Sequence, residues 1–416
     1  MTPELKSRIR NTVQQARQLL IQETYEQLVS LYGLRPDYHF DPMENLPALK
    51  NNAYRQQTYR RLNIWIEEEI RGGMKRQEAV EKSLKETAFT WLNRLVAFKM
   101  MESLKLIRGA IDRGTESNGF KFYLAEHEEA LRLYESGQVE EAYRHFLLWQ
   151  CRQIAEQDHL EVLFNPDDLP SRLFPRPRSL LQVLDLLNDP ALADAWKQEE
   201  TIGWVYQYFI EEDKDAVFEK IYRQKKKMDL RDIPKATQIF TPRWIVQYLV
   251  ENTLGRLWLR MHPDSRLRDK MKYYVPNPYT DNQPLPVKSV REITLLDPAC
   301  GTMHFGLVGF DLFYEMYLEE LENAGKPGWP EKTETEGERP EDWIPVAIVE
   351  NNLYGIDIDL RAIQLSALTL YLKVKSKNAL MKLLDELRKL SLLLLQHLMV
   401  FVLLLKLSIK KVEWKL

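Results

Sequence analysis

Residues 293–305 of the chain read ITLLDPACGTMHF. A β-prone apolar run ends at Asp297, a short turn runs through Gly301, and an amphipathic stretch continues from Phe305 to Tyr317. This order of strand, tight turn and helix is typical of the opening unit of a doubly wound α/β sheet. Such a turn presents backbone N–H groups and a helix N-terminus at the carboxyl end of the strand, where these folds bind nucleotides. The sequence therefore predicts a nucleotide-binding α/β region around Asp297.

A second strand is predicted at about residues 353–356, and it ends on Asp357. An acid at the end of the second strand of such a sheet accepts hydrogen bonds from ribose hydroxyls. The chain contains neither G-x-G-x-x-G nor G-x-x-x-x-G-K-[ST], so dinucleotide and triphosphate loops are excluded as explanations. The segment from Ala324 to Pro345 is rich in Gly, Pro and Glu, and we expect an exposed insertion there.

The composition is that of a globular protein of two or three domains, with 416 residues, 44% hydrophobic and 29% charged. The formal net charge is −3, so any contact with nucleic acid must depend on local basic patches. Only Cys151 and Cys300 are present, which disfavours a disulfide framework and favours a reducing compartment. The N-terminal residues lack the apolar core of a signal peptide, and we expect a cytoplasmic protein without a membrane span.

Residues 1–235 are predicted to be helical. Thr2 is a candidate cap for the first helix and Gly33 a candidate stop. Two further helices are expected at about 55–72 and 76–108, and helical elements continue over 126–156. In the helix at 76–108, Arg94 lies among apolar residues. We interpret this stretch as a core helix with a few satisfied polar groups, and a DNA contact through Arg94 or Lys99 is the alternative.

Basic and polar signals follow between residues 220 and 290. The run Arg223 to Lys227 is predicted to be a solvated helix end, with phosphate contact as the alternative. Thr241 and Pro242 read as the cap and first residue of another helix. The densest basic region of the chain lies between Arg256 and Lys272.

Three segments resemble the cofactor motifs of adenine-N6 DNA methyltransferases with the γ-type motif order. FTP at 240–242 resembles their lid segment, DPACGT at 297–302 their first motif, and GIDID at 355–359 their second. With the runs at 91–102, 203–207 and 237–246, the chain resembles the large adenine-specific methyltransferases of BREX-type phage-defence systems. This resemblance covers about residues 1–375, and these enzymes are related to restriction-modification enzymes with a fused methylase.

The resemblance implies an S-adenosylmethionine site that contains Thr241, Asp297, Ala299, Cys300, Gly301, Asp357 and Ile358. By the same resemblance, Asp297 would face the ammonium of the cofactor, Asp357 the ribose and Ile358 the adenine ring. Thr241 would touch the carboxylate of the cofactor. The family turn commonly has a small residue where this chain has Met303.

The resemblance also implies a fold class and partners. We expect an incomplete S-adenosylmethionine-dependent, Rossmann-like α/β core in residues 236–376, preceded by an all-α domain in residues 1–235. The implied partners are double-stranded DNA and other phage-defence proteins. The implied reaction transfers a methyl group from S-adenosylmethionine to an adenine that is flipped out of the duplex.

No Asn/Asp-Pro-Pro-Tyr/Phe motif, which in this family holds the target adenine, follows Asp357. Asn277-Pro278-Tyr279 is a near match that lies before the first motif, and we interpret it as turn chemistry. Residues 377–416 are rich in Leu and Lys, and we interpret them as a non-native tail after a change of reading frame near residues 376–378. We therefore expect an inactive fragment with weak or absent affinity for the cofactor and an aggregation-prone sheet edge.

Two other functions fit parts of the sequence. The helical half could be a non-catalytic binding module for DNA or defence partners, attached to a relict cofactor fold. Asp167 with Glu212, Asp213 and Lys214 formally matches a metal-dependent nuclease, but that chemistry needs the acids on adjacent strands and the region reads as helical.

Overall fold

The computed structural model describes residues 1–157, 160–228, 232–331 and 340–377. The predicted tail at 377–416 lies outside the described residues, apart from Lys377. The chain divides into two compact units, of which the first comprises Met1–Glu156 and Glu161–Glu211 and the second Gln157–Leu160 and Glu212–Leu416. This division does not test the domains expected from the sequence, 1–235 and 236–376, which remain predictions.

The regular structure of the first unit is helical in its described residues, apart from one isolated bridge between Leu34 and Phe40. Its helices are α1 Pro3–Tyr32, α2 Ala53–Arg71, α3 Arg76–Ser103, α4 Asn118–Glu126, α5 Glu128–Glu135, α6 Val139–Gln157, α7 Glu161–Phe164, α8 Leu169–Arg172, α9 Pro177–Leu187 and α10 Thr201–Phe209. Helix α1 has the predicted ends: the Thr2 hydroxyl accepts the Leu5 N–H at 3.3 Å, and Gly33 ends the helix at φ 71°. Glycine adopts this left-handed conformation at little cost.

Helix α3 is the central helix of this unit, and its polar residues are satisfied as predicted. Arg94 is completely buried, and its guanidinium donates to the Leu163 and Asn165 carbonyls, the Ser171 hydroxyl and an Asp168 carboxylate oxygen at 2.7–3.1 Å. The interpretation of a core helix is therefore confirmed, and a DNA contact by Arg94 is excluded by its burial.

One helical prediction differs from the structure in extent. Helix α3 ends at Ser103 instead of continuing to about residue 108. The helical elements expected over 126–156 are α5 and α6, with Gly137 between them at φ 84°. Apolar residues continue after Ser103, which is why the sequence pattern did not reveal the end of α3.

The second unit contains both strands found in the described residues. Its elements are α11 Glu211–Phe218 (which starts one residue before the unit boundary), α12 Ile233–Thr237, α13 Arg243–Val250, α14 Arg256–Met261, α15 Leu267–Lys270, α16 Pro278–Asp281, β1 Leu295–Asp297, α17 His304–Asn323, α18 Pro340–Asn351, β2 Leu353–Gly355 and α19 Leu360–Lys377. One-turn π-helical segments follow α11 and join α13 to α14.

Strands β1 and β2 pair in parallel, with Leu295 opposite Leu353 and Asp297 opposite Gly355. Parallel strands need a long crossover connection, and the segment that contains α17 and α18 provides it. The strand predicted at 353–356 is confirmed, and its last residue differs by one. Apolar side chains of α13, α14, α17, α18 and α19 share one core with the two strands.

The insertion expected at Ala324 to Pro345 is shorter than predicted, because α18 begins at Pro340. Trp343 and Ile344 are buried in the shared core, although Pro345 interrupts the helical hydrogen bonding. Burial of this apolar face outweighs the poor helix propensity that the composition indicated.

Removing the Arg94 guanidinium should destabilise the first unit. In Arg94→Ala, two carbonyls, a hydroxyl and a carboxylate each lose the hydrogen bond from the guanidinium, and the partly buried carboxylate loses its counter-charge, which we expect to cost about 3–5 kcal/mol. Hydrogen–deuterium exchange of peptides from α3 and α8 should show the loss as faster exchange. The matched control is Arg71→Ala at the exposed end of α2, which we expect to stay within about 0.5 kcal/mol. Unchanged protection in Arg94→Ala would contradict this account of the core.

Candidate cofactor site

The turn after β1 is hydrogen-bonded to the end of β2. The Ile356 N–H donates to the Asp297 carbonyl and the Cys300 N–H donates to the Ile356 carbonyl, each at 2.9 Å. Residues 297–301 and 356–358 therefore form one edge, at the carboxyl ends of the two parallel strands. This is the position at which open α/β sheets bind ligands.

Gly301 lies on the open side of this turn. Its φ is 53°, and no atom lies within 4 Å of the position that a Cβ would occupy. Glycine is suited to this left-handed conformation, and the space beside it leaves the backbone accessible to a ligand. The carbonyl of Gly301 accepts the Ser366 hydroxyl at 2.7 Å, so α19 fixes the turn from the opposite side.

Asp297 presents one carboxylate oxygen that has no partner in the protein. Oδ1 accepts the Ala299 N–H at 3.1 Å, whereas Oδ2 is buried and makes no hydrogen bond. Burial raises the pKa of Asp297, the bond from Ala299 opposes this shift, and the nearby Asp357 carboxylate adds to it. This oxygen can therefore accept a hydrogen bond from a cationic donor.

Asp357 connects the end of β2 to the turn. Its Oδ2 accepts the Gly301 N–H at 2.9 Å and its Oδ1 accepts the Asp359 N–H at 2.8 Å. The next side chain, Ile358, is 73% exposed, which leaves an apolar surface directly beside the acidic edge. The structure thus brings Asp297, Gly301, Asp357 and Ile358 to one edge of the sheet.

Met303 lies at the start of α17 with its side chain buried. It has a φ of 67°, and it is 3% exposed, with its sulfur 3.1 Å from where a Cβ on Gly355 would lie. A non-glycine residue is uncommon in this left-handed conformation. The side chain occupies the core under β2, and the space beside Gly301 stays open.

The segment before α13 reaches the same strand edge. The Gln238 side-chain amide donates to an Asp359 carboxylate oxygen, and the Phe240 ring stacks on His304, the first residue of α17, with centroids 4.3 Å apart. Thr241 follows directly and is half-buried. The prediction that Thr241 caps a helix is wrong: α13 begins at Arg243, and the extended Pro242 takes the capping position.

The sequence did not indicate that Gln238 and Asp359 connect the segment before α13 to the end of β2. Asp359 is buried, and it pairs with Arg361 at 2.7 Å as well as with Gln238. Its spacing of two residues from Asp357 was the available signal, because both acids stand in the same short motif.

Three of the six basic residues between Arg256 and Lys272 are neutralised by ion pairs inside the second unit. Arg256 pairs with Asp281 at 2.9 Å, and Arg266 and Lys270 pair with acids of α17. The side chains of the run 223–227 are exposed, as expected for a solvated helix end, and phosphate contact stays the alternative. The ion pairs reduce the positive charge that the region between Arg256 and Lys272 can offer to DNA.

The alternative motifs are not assembled into sites. Neither β1 nor β2, the strands of the described chain, carries the acids proposed for a nuclease, and no group of three His, Cys, Asp or Glu side chains in the described ranges could hold a metal. Asn277 caps α16 by accepting the Tyr279 N–H at 3.1 Å, which confirms its interpretation as turn chemistry. None of the helices in the described part combines the length and apolar character that a membrane crossing requires.

The comparisons with known proteins identify relatives. No family model matches the chain. It is 34% identical over 339 residues to the adenine-specific methyltransferase BrxX of Escherichia coli O9:H4 (strain HS), an alignment that covers 73% of this chain and 25% of that protein. It is 32% identical over 350 residues to the adenine-specific methyltransferase PglX of Lacticaseibacillus casei (strain Zhang), with 74% and 27% covered. The chain thus spans about a quarter of the length of these relatives. The chain belongs to the BREX family of PglX-like adenine-specific methyltransferases.

Proposed function

We propose that the second unit carries the S-adenosylmethionine-binding half of a DNA adenine-N6 methyltransferase. The observation that carries the proposal is the buried Oδ2 of Asp297, which has no hydrogen-bond partner at the carboxyl end of β1. A buried carboxylate oxygen without a donor is costly, and the ammonium of a bound amino-acid moiety would supply both a proton donor and a positive charge. The open space beside Gly301 supports close approach of such a ligand.

The residues of the strand edge fit the parts of this cofactor. Asp297 would bind the ammonium, and the backbone of Ala299, Cys300 and Gly301 would lie along the methionine moiety. Each oxygen of Asp357 accepts one backbone N–H and retains a further lone pair for a ribose hydroxyl.

Two side chains outside the turn, one apolar and one polar, complete the proposed site. The exposed side chain of Ile358 would cover one face of the adenine ring, and Thr241 would bind the carboxylate. The cofactor supplies the electrophilic methyl sulfonium, and the chain supplies its binding and orientation.

The fold supports the same proposal at a coarser level. A parallel β1–β2 pair with a ligand-facing turn, preceded by a segment that contacts the β2 end through Gln238, is consistent with a Rossmann-like methyltransferase core of γ-type order. We propose double-stranded DNA as the substrate, because both relatives are named adenine-specific methyltransferases. Other defence proteins are proposed partners by the same family membership.

We further propose that these 416 residues do not transfer the methyl group by themselves. No Asn/Asp-Pro-Pro-Tyr/Phe motif follows Asp357, and Asn277 is used as a helix cap. A second candidate function is that the helical unit binds DNA or a partner and the cofactor fold is a relict. Filter binding of DNA at varied salt separates the two, since only the relict predicts binding that is independent of the cofactor site.

Asp297→Asn should lower the weak cofactor affinity that we expect by about tenfold or more. A lost charge-assisted hydrogen bond costs about 1.5–3 kcal/mol, equivalent to about tenfold or more in affinity. Saturation-transfer NMR on S-adenosylmethionine with the full chain should show contact in the parent chain and a weaker signal in the variant. The matched control is Asp264→Asn, an exposed acid of the same unit. Equal signals from Asp297→Asn and the parent would refute the assignment.

Asp297 should also make the ligand-free chain less stable at neutral pH. Its pKa in the folded state is raised, so its contribution to stability is present below the unfolded pKa and is lost as the pH rises through the folded pKa. Thermal denaturation of Asp297→Asn should therefore give a higher Tm than the parent at pH 7, and the difference should shrink toward pH 4. A lower Tm for the variant at pH 7 would mean that Oδ2 has a partner in solution.

The parent chain should not methylate DNA. We expect no radioactivity above background in duplex DNA after incubation with methyl-labelled S-adenosylmethionine, while an unrelated adenine methyltransferase with an Asn-Pro-Pro-Tyr motif serves as the positive control. Methylated adenine in the product of this chain would show that another group holds the target base.

A further inference from the structure

The first unit contains a cavity of about 480 Å³ that the methyltransferase proposal does not use. Residues of α1, α2, α6, α8 and α9 and of the segment between α8 and α9 line it. Its lining includes Arg55, Arg144, Arg172, Tyr32, Tyr54 and Phe174, together with the carboxylates of Glu140 and Glu141. The volume lies in the range of about 300–1,000 Å³ that is typical of small-molecule sites.

Arg172 is the unusual group in this cavity. It is only 8% exposed, and its Nε and Nη1 donors are buried without an acceptor. Its guanidinium lies 4.9 Å from the centre of the Tyr54 ring, and among the described residues it pairs with no carboxylate. A buried guanidinium without a counter-charge is costly, so this position calls for an anion.

The chain holds Arg172 in place through Arg94. Ser171 is completely buried, and its hydroxyl accepts from the Arg94 Nη1 at 2.7 Å. The Ser171 N–H in turn donates to Asp168, which pairs with Arg94 at 2.8 Å. Because its neighbour is fixed from inside the core, Arg172 cannot relieve its burial by a simple shift of the backbone.

Of the three other arginines that line the cavity, two are already paired with a carboxylate among the described residues and one is not. Arg176 binds Glu23 at 2.7 Å, and Arg144 pairs with Glu141 at 2.7 Å. Arg55 donates to the Ala48 carbonyl at 3.2 Å, and no ion pair of the described residues includes it. Arg172 and Arg55 therefore leave two positive charges without a carboxylate partner at one cavity.

The aromatic lining indicates more than a bare anion. A phosphate would fill only a small part of about 480 Å³. Tyr54 is 45% exposed with Arg172 against its ring, and the ring provides a surface on which a flat base can stack. Guanidinium groups bind phosphate oxygens through paired N–H donors.

We propose that this cavity binds a small nucleoside phosphate, with the phosphate on Arg172 and Arg55 and the base against Tyr54. The site lies within the helical unit, and it is independent of the cofactor proposed for the second unit. A signal nucleotide and a metabolic nucleotide share this chemistry.

Calorimetric titration of the full chain tests the proposal with adenosine 5′-diphosphate, adenosine and inorganic phosphate. We expect saturable binding of the diphosphate, at least tenfold tighter than that of adenosine or phosphate. Arg172→Met should weaken it at least tenfold without lowering the Tm, because methionine fills the space and removes the unpaired charge. The matched control Arg71→Met, exposed on α2, should bind as the parent does. Tyr54→Ala should weaken the diphosphate and leave inorganic phosphate unchanged.

Further measurements distinguish binding at this cavity from binding elsewhere on the chain. Asp297→Asn should bind the diphosphate normally, and a loss there would assign the nucleotide to the strand edge and overturn the proposal. Undetectable binding at millimolar diphosphate, or equal binding by Arg172→Met, would also overturn it. If a DNA duplex binds through Arg172 while the diphosphate does not, the cavity recognises DNA phosphates and the nucleotide assignment is wrong.

Discussion

The parallel pairing of β1 with β2 is the constraint on which the second unit depends. It fixes the turn after Asp297 against Ile356, so residues more than fifty positions apart meet at one edge. Asn352 sets where β2 begins: completely buried, its amide donates to the Val290 and Ile293 carbonyls at 2.7 Å, and its Oδ1 accepts the Tyr317 hydroxyl. A slip of this register would separate Asp357 from Gly301 and remove the acidic edge.

Local sequence signals predicted the elements that local chemistry determines. The Thr2 cap, the Gly33 stop and both strands follow from residue types and their spacing, and the structure has both caps and the carboxyl ends of both strands within a residue. The start of α18 was missed because its helix depends on burial of Trp343 and Ile344 against distant residues. Thr241 was assigned as a cap from its residue type, while the extended backbone of Pro242 decides where α13 begins.

The residues of the candidate cofactor site were predicted from the sequence. Their charges, burial and hydrogen bonds became clear only from the folded structure. The motifs located Asp297 and Asp357, but only the folded structure shows that one oxygen of Asp297 is buried without a hydrogen-bond partner. The two acids lie close enough for Asp357 to raise the pKa of Asp297 further. Two carboxylates at one strand edge disfavour the ligand-free state and favour a cationic ligand.

Two buried arginines of the first unit show how differently one side chain can be stabilised. Arg94 has an acceptor for each nitrogen of its guanidinium, and Arg172, on the segment that Arg94 holds, has none for two of them. This difference cannot be read from the sequence, since each arginine follows a polar residue and precedes a leucine. Contacts between residues far apart in the chain decide which arginine supports the core and which one faces a cavity.

The two cysteines have a practical consequence, because each compact unit contains one. Cys151 and Cys300 are both buried, and burial raises their thiol pKa to about 11 and about 12, which suppresses the reactive thiolate at neutral pH. Alkylation of either thiol therefore reports that its own unit has opened. A mixture of light and heavy alkylating reagents, read by mass spectrometry, would time the opening of the helical unit and of the strand-containing unit separately in the same sample.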